Sequence, residues 1–536
     1  MLPPGLKTAK EVKQYYDGVY EQHLASGQYY PFLYPWATIG FGVVLIYLLI
    51  DHRRSPTLRS LRRPLFGFLC AFSAWCILTN KARSSAAAYG VGLISAWGTL
   101  WTGAIMFFND CQTDFKRIER ADSNALKMNS KDSHSNGSLS NGSVYKHAEA
   151  SVKEHEELLS KLDRIATQGP YQRRGPLFWQ EYPTTPFIER LDWVLDAFCA
   201  FRGTGWTFST HGLPPLPPSV TAELTNTTPT TTPDPLIITS RSGIRRFTTR
   251  RTLLKDCLTR LTIGFFALDA IKTLMHLDAY FWGYMDASAP AWFPSTSPVL
   301  LKAYRLLLSL FGIHCALLQI FHMGPVFFSL LPLGLRSEPW MNPPDFYGNY
   351  SAVWEKGLAG WWGSWWHQTF RYAFEAPATR LLEALNIDKR SQKGKLISLF
   401  VAFGLSGSLH ACGSYTQLGD TRPLMGPFRF FILQAIGIVI QMQVTQYFKN
   451  IGITDKTPRL IRQLGNFLFV NIWMYFTAPL LVDDFAKGGV WLYEPLAISP
   501  LRLLGFGAAD DNGYDLWHGL VFWRTGKHWW DTGIAF

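Results

Sequence analysis

The sequence predicts an all-α protein that crosses a membrane about eight times and carries a long, partly disordered cytosolic loop. Hydrophobic residues make up 48% of the 536-residue chain, and they occur in blocks of membrane-spanning length separated by polar segments. Arginine and lysine gather in short loops beside these blocks, as they do in the cytosolic loops of membrane proteins. We therefore expect an integral, multi-pass membrane protein in contact with the lipid bilayer.

The net charge of +12 would also suit a protein that binds nucleic acid. The basic residues flank apolar spans, however, where they set topology and contact anionic head groups. No nucleic-acid motif accompanies them, so we expect no nucleic-acid partner. The seven cysteines form no CxxC pair, and the sequence indicates neither a disulfide scaffold nor a metal site.

The region 1–108 is predicted to hold an N-terminal interfacial helix and the first three spans. Residues 1–29 alternate charged and aromatic side chains, which is typical of a helix lying in the membrane interface. Charged residues interrupt this segment before any apolar core, so the first span is expected to be an uncleaved anchor. The three spans are placed at 31–50, 64–79 and 86–108. The arginine-rich loop between the first two should face the cytosol.

The region 109–258 is predicted to be a cytosolic loop with disordered linkers around an ordered island. Residues 118–160 are rich in Ser, Asn, Lys and Glu, and 222–235 are rich in Thr and Pro, compositions typical of disorder. Asn136 and Asn141 match the glycosylation pattern but fall on the predicted cytosolic side. The island, about 170–214, has one apolar helical face, formed by Phe187, Leu191, Val194, Leu195 and Phe198.

The region 259–536 is predicted to be the catalytic transmembrane core with an aromatic C-terminal tail. Its spans are placed at 261–277, 299–320, 396–412, 427–448 and 464–482. Proline and glycine interrupt the apolar residues after 320, which favours a re-entrant piece up to 335. The tail from Trp491 is expected to form one more segment or an interfacial cap. No internal repeat is visible, which argues against a secondary transporter.

His410 is the first candidate site residue, because it lies in an apolar segment with no charged residue between 396 and 412. An ionisable side chain at membrane depth is expensive and therefore indicates a functional site. Ser406 lies one turn before it and is expected to bond its imidazole. The alternative, a histidine held by an ordinary interhelical hydrogen bond, carries about equal weight.

His367 is the second candidate, in the tryptophan-rich stretch 361–371. Read as a helix, this stretch places His367, Phe370 and Arg371 on one face. The alternative is an interfacial aromatic belt with a buried histidine. If His367 and His410 meet, one imidazole can act as general base. The remaining polar residues at membrane depth are individually expected to be interhelical contacts; they are Asp269, Lys272, His276, His314, Gln319, His322, Gln434, Gln441 and Gln443.

The sequence WWGSWWHQTFR at 361–371, followed about forty residues later by SGSLH at 406–410, resembles the wax-synthase-like branch of membrane-bound O-acyltransferases. The fungal members that acylate secondary-metabolite alcohols are the most similar. The island sequences YPTTPFIERLDW and RGTGW are similar to the cytosolic segment of such fungal proteins. The resemblance covers about 170–212 and 340–480.

The resemblance implies transfer of an acyl group from acyl-CoA, most plausibly acetyl-CoA, to a hydroxyl of a hydrophobic alcohol such as a terpenoid. It implies a multi-pass protein of the endoplasmic reticulum that uses acyl-CoA as co-substrate and binds no cofactor permanently. His410 matches the catalytic histidine of the family, and His367 stands where many relatives have Asn or His. The candidates for substrate or oxyanion contacts are Gln368, Trp366 and Ser406, and those for the CoA phosphates are Arg371 and Arg380.

Two alternatives to this function remain open. One is a long-chain wax ester or sterol ester synthase, and the other is a multispan transporter. The sequence does not determine the oligomeric state, the acceptor or the acyl chain length.

Overall fold

We describe a computed structural model of the chain that covers residues 2–121, 175–227, 233–508, 511, 513–514 and 521–536. Most of the linker predicted to be disordered, the two asparagines of the glycosylation pattern and the start of the island lie outside the described residues.

The described part of the chain is predominantly α-helical. In chain order the helices are α1 Ala9–Ala25, α2 Ile39–Leu49, α3 Pro56–Ser60, α4 Arg62–Thr79, α5 Ser85–Thr102, α6 Cys111–Asp114, α7 Phe187–Cys199, α8 Pro218–Leu224, α9 Arg250–His276, α10 Pro298–Leu330, α11 Ser351–Gly360, α12 Arg371–Ala384, α13 Gln392–Thr416, α14 Arg429–Asn450, α15 Ile453–Lys456, α16 Arg459–Thr477 and α17 Pro479–Lys487. The strands are β1 Tyr30–Pro31, β2 Leu33–Tyr34, β3 Asn80–Lys81, β4 Arg117–Arg120, β5 Leu177–Gln180, β6 Ile237–Thr239, β7 Arg245–Phe247, β8 Phe522–Arg524 and β9 Gly533–Ala535.

Among the described residues, six helical segments are long and apolar enough to cross a membrane, which indicates an integral membrane protein. They are Pro56–Thr79, Ser85–Phe107, Pro298–Leu330, Gln392–Thr416, Leu424–Asn450 and Arg459–Lys487. A shorter apolar helical segment, Trp36–Leu49, stands where the first span was predicted. Helix α9 has 27 residues but is not among the six, so the predicted number of eight spans is not confirmed.

The structure corrects two of the predicted spans. The first was placed from residue 31, but residues 30–34 pair as short strands and the helical segment begins only at Trp36. The apolar residues after 320 do not form a separate re-entrant piece, because α10 continues unbroken to Leu330 with Pro325 inside it. A proline removes only one backbone donor, and a helix within a bundle tolerates that loss.

The N-terminus, the loop after α4 and the C-terminal tail meet at one end of the helix bundle. Strand β1 pairs with β3, and β2 pairs with β9, which in turn pairs with β8. Nζ of the buried Lys81 donates to the carbonyls of Tyr415 and Gln417 beyond His410, and so joins this end to α13. In its described residues the tail is therefore a cap of strands and short turns.

The island lies at the opposite end of the bundle. It packs around Arg117 of β4, whose side chain is 1% exposed. Its guanidinium donates to the carboxylates of Asp192 and Asp196, and its Nε donates to Gln180. The inward face of helix α7 agrees only in part with the predicted one, with Val194 common to both. Trp193, Val194 and Ala197 are buried, whereas Phe187 is 57% and Leu195 45% exposed. The inward face is decided by Trp206, whose ring packs against Trp193 at 5.0 Å.

Helices α5 and α13 approach each other closely at Gly92. A Cβ atom at Gly92 would lie 1.9 Å from the carbonyl oxygen of Cys412, so only glycine allows this approach. The Gly92 amide donates to the Thr416 hydroxyl across the same contact. This packing brings the side chain of Tyr89, one turn earlier on α5, beside His410.

Candidate functional site

His410 shares a hydrogen bond of 2.6 Å between its Nδ1 and the Tyr89 hydroxyl. Its ring stacks on Phe431 of α14 at 4.7 Å. The structure has no hydrogen bond between Ser406 and His410, and the observed partner of Nδ1 comes from another helix. When Nδ1 carries the proton and donates to Tyr89, Nε2 keeps its lone pair for an incoming hydroxyl.

The tryptophan-rich stretch is not one continuous helix, in contrast to the prediction. Helix α11 ends at Gly360, a wide π-helical turn covers Trp361–Trp365, and the chain is extended at Trp366 before α12 begins at Arg371. His367 therefore lies in a break between two helices. Side chains in such a break do not follow helical periodicity, which is why the predicted common face does not form.

The imidazole of His367 is surrounded by aromatic rings. Phe346 stacks on it at 4.7 Å, and Phe370 meets it edge-on at 5.2 Å. Its Nδ1 is buried and has no hydrogen-bond partner. Burial, together with a smaller effect of the His410 charge, lowers the pKa of His367 to about 3. His367 is therefore neutral at physiological pH, and its buried Nδ1 keeps an unused hydrogen-bonding capacity.

The two histidines lie within electrostatic range of each other, since the charge of His410 acts on His367. Aromatic rings connect them: Trp366 packs on His367 at 5.5 Å and on Trp362 at 5.9 Å, and Trp362 packs on Phe431 at 5.7 Å. His367 keeps part of its surface accessible although burial strongly affects its pKa.

The other predicted site residues are largely engaged within the protein. The amide nitrogen of Gln368 donates to the carbonyls of Trp362 (2.9 Å) and Trp366 (2.6 Å), so it is not free to stabilise an oxyanion. Nε of Arg371 donates to Glu375 at 2.7 Å, and Nη1 of Arg380 donates to Glu383 at 2.8 Å. Both arginines lie on α12, where each is paired with a glutamate of the same helix.

Several of the polar residues at membrane depth make the predicted interhelical contacts. Gln319 donates to the Leu261 carbonyl at 2.9 Å, and Gln434 donates to the Thr477 hydroxyl at 3.1 Å. His322 lies near Asp256 and Asp345, and the three offer ligand atoms within 4.8 Å of one another. Both carboxylates accept hydrogen bonds from Arg245, which accounts for the cluster as an ion pair without a metal.

Tyr89 contacts His410 and Phe346 contacts His367, and the sequence predicted neither contact. Tyr89 follows three alanines in α5, and that setting indicates only close helix packing. A hydrogen bond between residues 321 positions apart leaves no local signal in one sequence.

Fold and site together define the class: an integral membrane protein with a buried histidine pair in an aromatic interior, an arrangement suited to acid–base chemistry on apolar substrates. Residues 343–433 match the model of the Membrane bound O-acyl transferase family. This segment contains both histidines.

Curated fungal proteins match larger parts of the chain. The acetyltransferase eriL of Hericium erinaceus is 31% identical over 175 residues, 32% of this chain and 43% of the relative. The O-mevalon transferase yanI of Aspergillus niger is 27% identical over 269 residues, 48% and 53% of the two chains. The acetyltransferase aurG of Calcarisporium arbuscula is 24% identical over 167 residues, 31% and 40%. The chain spans about half the length of these relatives or less.

The chain is thus similar to membrane-bound O-acyltransferases and to fungal acetyltransferases. These matches confirm the resemblance that the stretches 361–371 and 406–410 indicated.

Proposed function

We propose that the protein transfers an acetyl group from acetyl-CoA to a hydroxyl of a hydrophobic small molecule, such as a terpenoid, in secondary-metabolite biosynthesis. The observation that carries the proposal is the hydrogen bond between Tyr89 and His410 inside an apolar helix pair. The names of the relatives support the acetyl donor, since eriL and aurG are acetyltransferases. We propose the endoplasmic reticulum as the location, with the island and the CoA entrance on the cytosolic side.

In the proposed reaction Nε2 of His410 takes the proton of the acceptor hydroxyl. The hydroxyl oxygen attacks the thioester carbonyl, the carbon–sulfur bond breaks, and His410 returns the proton to the departing CoA thiolate. One ester and one free CoA thiol are formed, without an acyl-enzyme. Tyr89 holds the imidazole in the tautomer that leaves Nε2 free.

The neutral imidazole of His367 is proposed to orient the acetyl carbonyl or the acceptor hydroxyl. Its unpartnered Nδ1 supports that role. Trp366 and Ser406 are proposed to line the substrate path, and Gln368 to hold the turn between Trp362 and Trp366 in place.

The test is CoA release by membranes that contain the protein, with acetyl-CoA or palmitoyl-CoA offered against a panel of hydrophobic alcohols. We expect acceptor-dependent release that falls about 10²–10⁴-fold in His410→Ala, the usual contribution of a general base. His528→Ala, a change at an exposed tail histidine, is the matched control and should keep full activity.

The outcomes separate the alternatives. Full activity in His410→Ala contradicts the catalytic assignment. Preference for palmitoyl-CoA replaces the acetyl donor with the long-chain ester synthase. Absence of turnover with every pair of donor and acceptor removes the support for the enzyme and makes transport the function to test.

A further inference from the structure

The RGTGW loop of the island, Arg202–Trp206, has no part in the proposed proton transfer, yet its shape is closely determined. Gly203 and Gly205 have φ of +66° and +74°. A Cβ atom at Gly203 would lie 2.1 Å from the Phe208 carbonyl oxygen, so only glycine fits. The Arg202 carbonyl accepts the amide of Thr210. The loop therefore presents the Arg202 side chain from a fixed backbone.

Arg202, which is partly buried, and Arg246, which is buried, are two cations without a carboxylate partner among the described residues. Nη1 of Arg202 donates to the Pro343 carbonyl at 2.9 Å. Arg246, 2% exposed, donates to the carbonyls of Trp340 and Pro214, and its Nε has no partner. Both guanidinium groups thus reach the same short segment, 340–343.

The nearest acidic side chain does not neutralise this pair. Asp345 accepts hydrogen bonds from Arg245 at both oxygens, at 2.8 and 2.6 Å. Burial lowers the pKa of Arg202 to about 10, although Asp345 opposes the decrease. Burial also lowers the pKa of Arg246 to about 10, and the charge of Arg202 lowers it further. Two like charges held together out of water are costly unless an anion joins them.

The pair lies next to the site that contains His367. Phe346, which stacks on His367, follows the Arg202-bonded Pro343 by three residues. Gly212, further along the island loop, lies against the Gln368 side chain. Arg202 keeps part of its surface accessible, whereas Arg246 is buried. Of the two guanidinium groups, that of Arg202 is therefore the one within reach of an anion from outside.

We propose that Arg202 binds a phosphate group of the CoA donor, with Arg246 supplying a second positive charge. Phosphate is the anion for which a guanidinium provides paired donors. This inference rests on the proposed function, because it names the site that would hold the donor. It assigns the CoA phosphates to the island loop and not to Arg371 and Arg380, which are paired with glutamates.

The test measures CoA binding by isothermal titration to the purified full-length protein in detergent. We expect Arg202→Ala to raise the Kd of CoA about tenfold to a hundredfold, the effect of losing a charge-assisted hydrogen bond. Arg202→Lys, which keeps the charge, should recover part of the affinity. Lys116→Ala is the control, because this half-exposed cation is already paired with Glu181 at 2.8 Å and should bind CoA normally.

A second arm uses 3′,5′-ADP, which carries the 3′-phosphate and the first 5′-phosphate of CoA without the pantetheine arm. It should displace CoA from the wild type and have at least tenfold weaker affinity for Arg202→Ala. Unchanged CoA binding in Arg202→Ala overturns the proposal. An affinity loss accompanied by a lower melting temperature and not recovered in Arg202→Lys also overturns it, since the role is then structural.

The two proposals fail in different ways. A wild type that binds CoA through Arg202 but acylates no alcohol leaves the phosphate site standing and overturns the proposed reaction. A wild type that does not bind CoA overturns both.

Discussion

At the residue scale, the proposed chemistry depends on one hydrogen bond between two helices. A histidine with both ring nitrogens unconstrained exchanges between tautomers, and only one of them leaves Nε2 unprotonated. We propose that the imidazole Nδ1–H donates in the 2.6 Å bond to the Tyr89 hydroxyl, which leaves Nε2 unprotonated, and the ring also stacks on Phe431. Tyr89 is therefore a positioning residue, which acts on the substrate through His410.

We predict that Tyr89→Phe lowers kcat about fivefold to tenfold and leaves the KM for acetyl-CoA unchanged. The loss corresponds to one hydrogen bond to a group that becomes charged in the reaction. Steady-state rates of CoA release measure both constants, and the pH dependence of kcat should shift because the imidazolium loses its partner. Tyr415→Phe, a change at an exposed tyrosine on α13, the helix that carries His410, is the control. Equal kcat in both variants would show that Tyr89 has no role in positioning.

At the element scale, the α5–α13 contact holds Tyr89 and His410 at hydrogen-bonding distance. A glycine at position 92 removes the side chain that would otherwise separate the helices. Close approach through small residues is a common basis of helix packing in membranes, where no hydrophobic effect drives association. The geometry of the site is thus a consequence of how two helices pack.

We predict that Gly92→Ala lowers activity at least tenfold, because its Cβ atom would meet the Cys412 carbonyl at 1.9 Å and displace α5. Overpacking of this kind also costs about 1–3 kcal/mol of stability. Activity and the melting temperature in detergent provide the measurements.

Gly90→Ala is the matched control for this change, two residues away on the same helix. The nearest atom to its Cβ would be Ile94 Cδ1 at 3.8 Å, so the methyl group fits. We expect unchanged activity and equal or slightly higher stability, because alanine favours helix more than glycine does. Equal losses in the two variants would contradict the role given to the close contact.

At the scale of the whole molecule, the C-terminal tail and the island lie at opposite ends of the helix bundle. Trp36 Nε1 donates to the Thr532 carbonyl and the Arg83 amide to the Phe536 carbonyl, so the C-terminus is fixed at the end where α4 meets α5. The Tyr182 hydroxyl of the island donates to the Leu48 carbonyl at the other end. If the membrane lies between them, the island and the tail face opposite compartments.

We predict that a membrane-impermeant maleimide labels Cys199, the exposed cysteine of α7, in sealed microsomes whose cytosolic face points outward. Loss of the label in Cys199→Ser identifies the site. Trp530→Cys in that background, at a tail position that is 51% exposed, should react only after the vesicles are permeabilised. Labelling of both positions before permeabilisation would contradict the proposed orientation.

The sequence by itself determined the class of protein and the segments that matter. Span-length apolar blocks require a helical membrane protein, since a lipid environment leaves backbone groups no other partners. The two motifs identified the family segment, and the cost of burying an imidazole indicated His410. These conclusions depend on local composition, which one sequence contains in full.

Only the tertiary structure decided which side chains contact one another. The break that holds His367, the burial of Trp193 instead of Leu195, and the hydrogen bond between Tyr89 and His410 all depend on chain segments far away in sequence. The pairing of Arg245 with Asp345, which leaves Arg202 and Arg246 without a carboxylate, is of the same kind. Helical periodicity describes the faces of one helix, but the face that is buried and the bonds it makes depend on the neighbour that packs there.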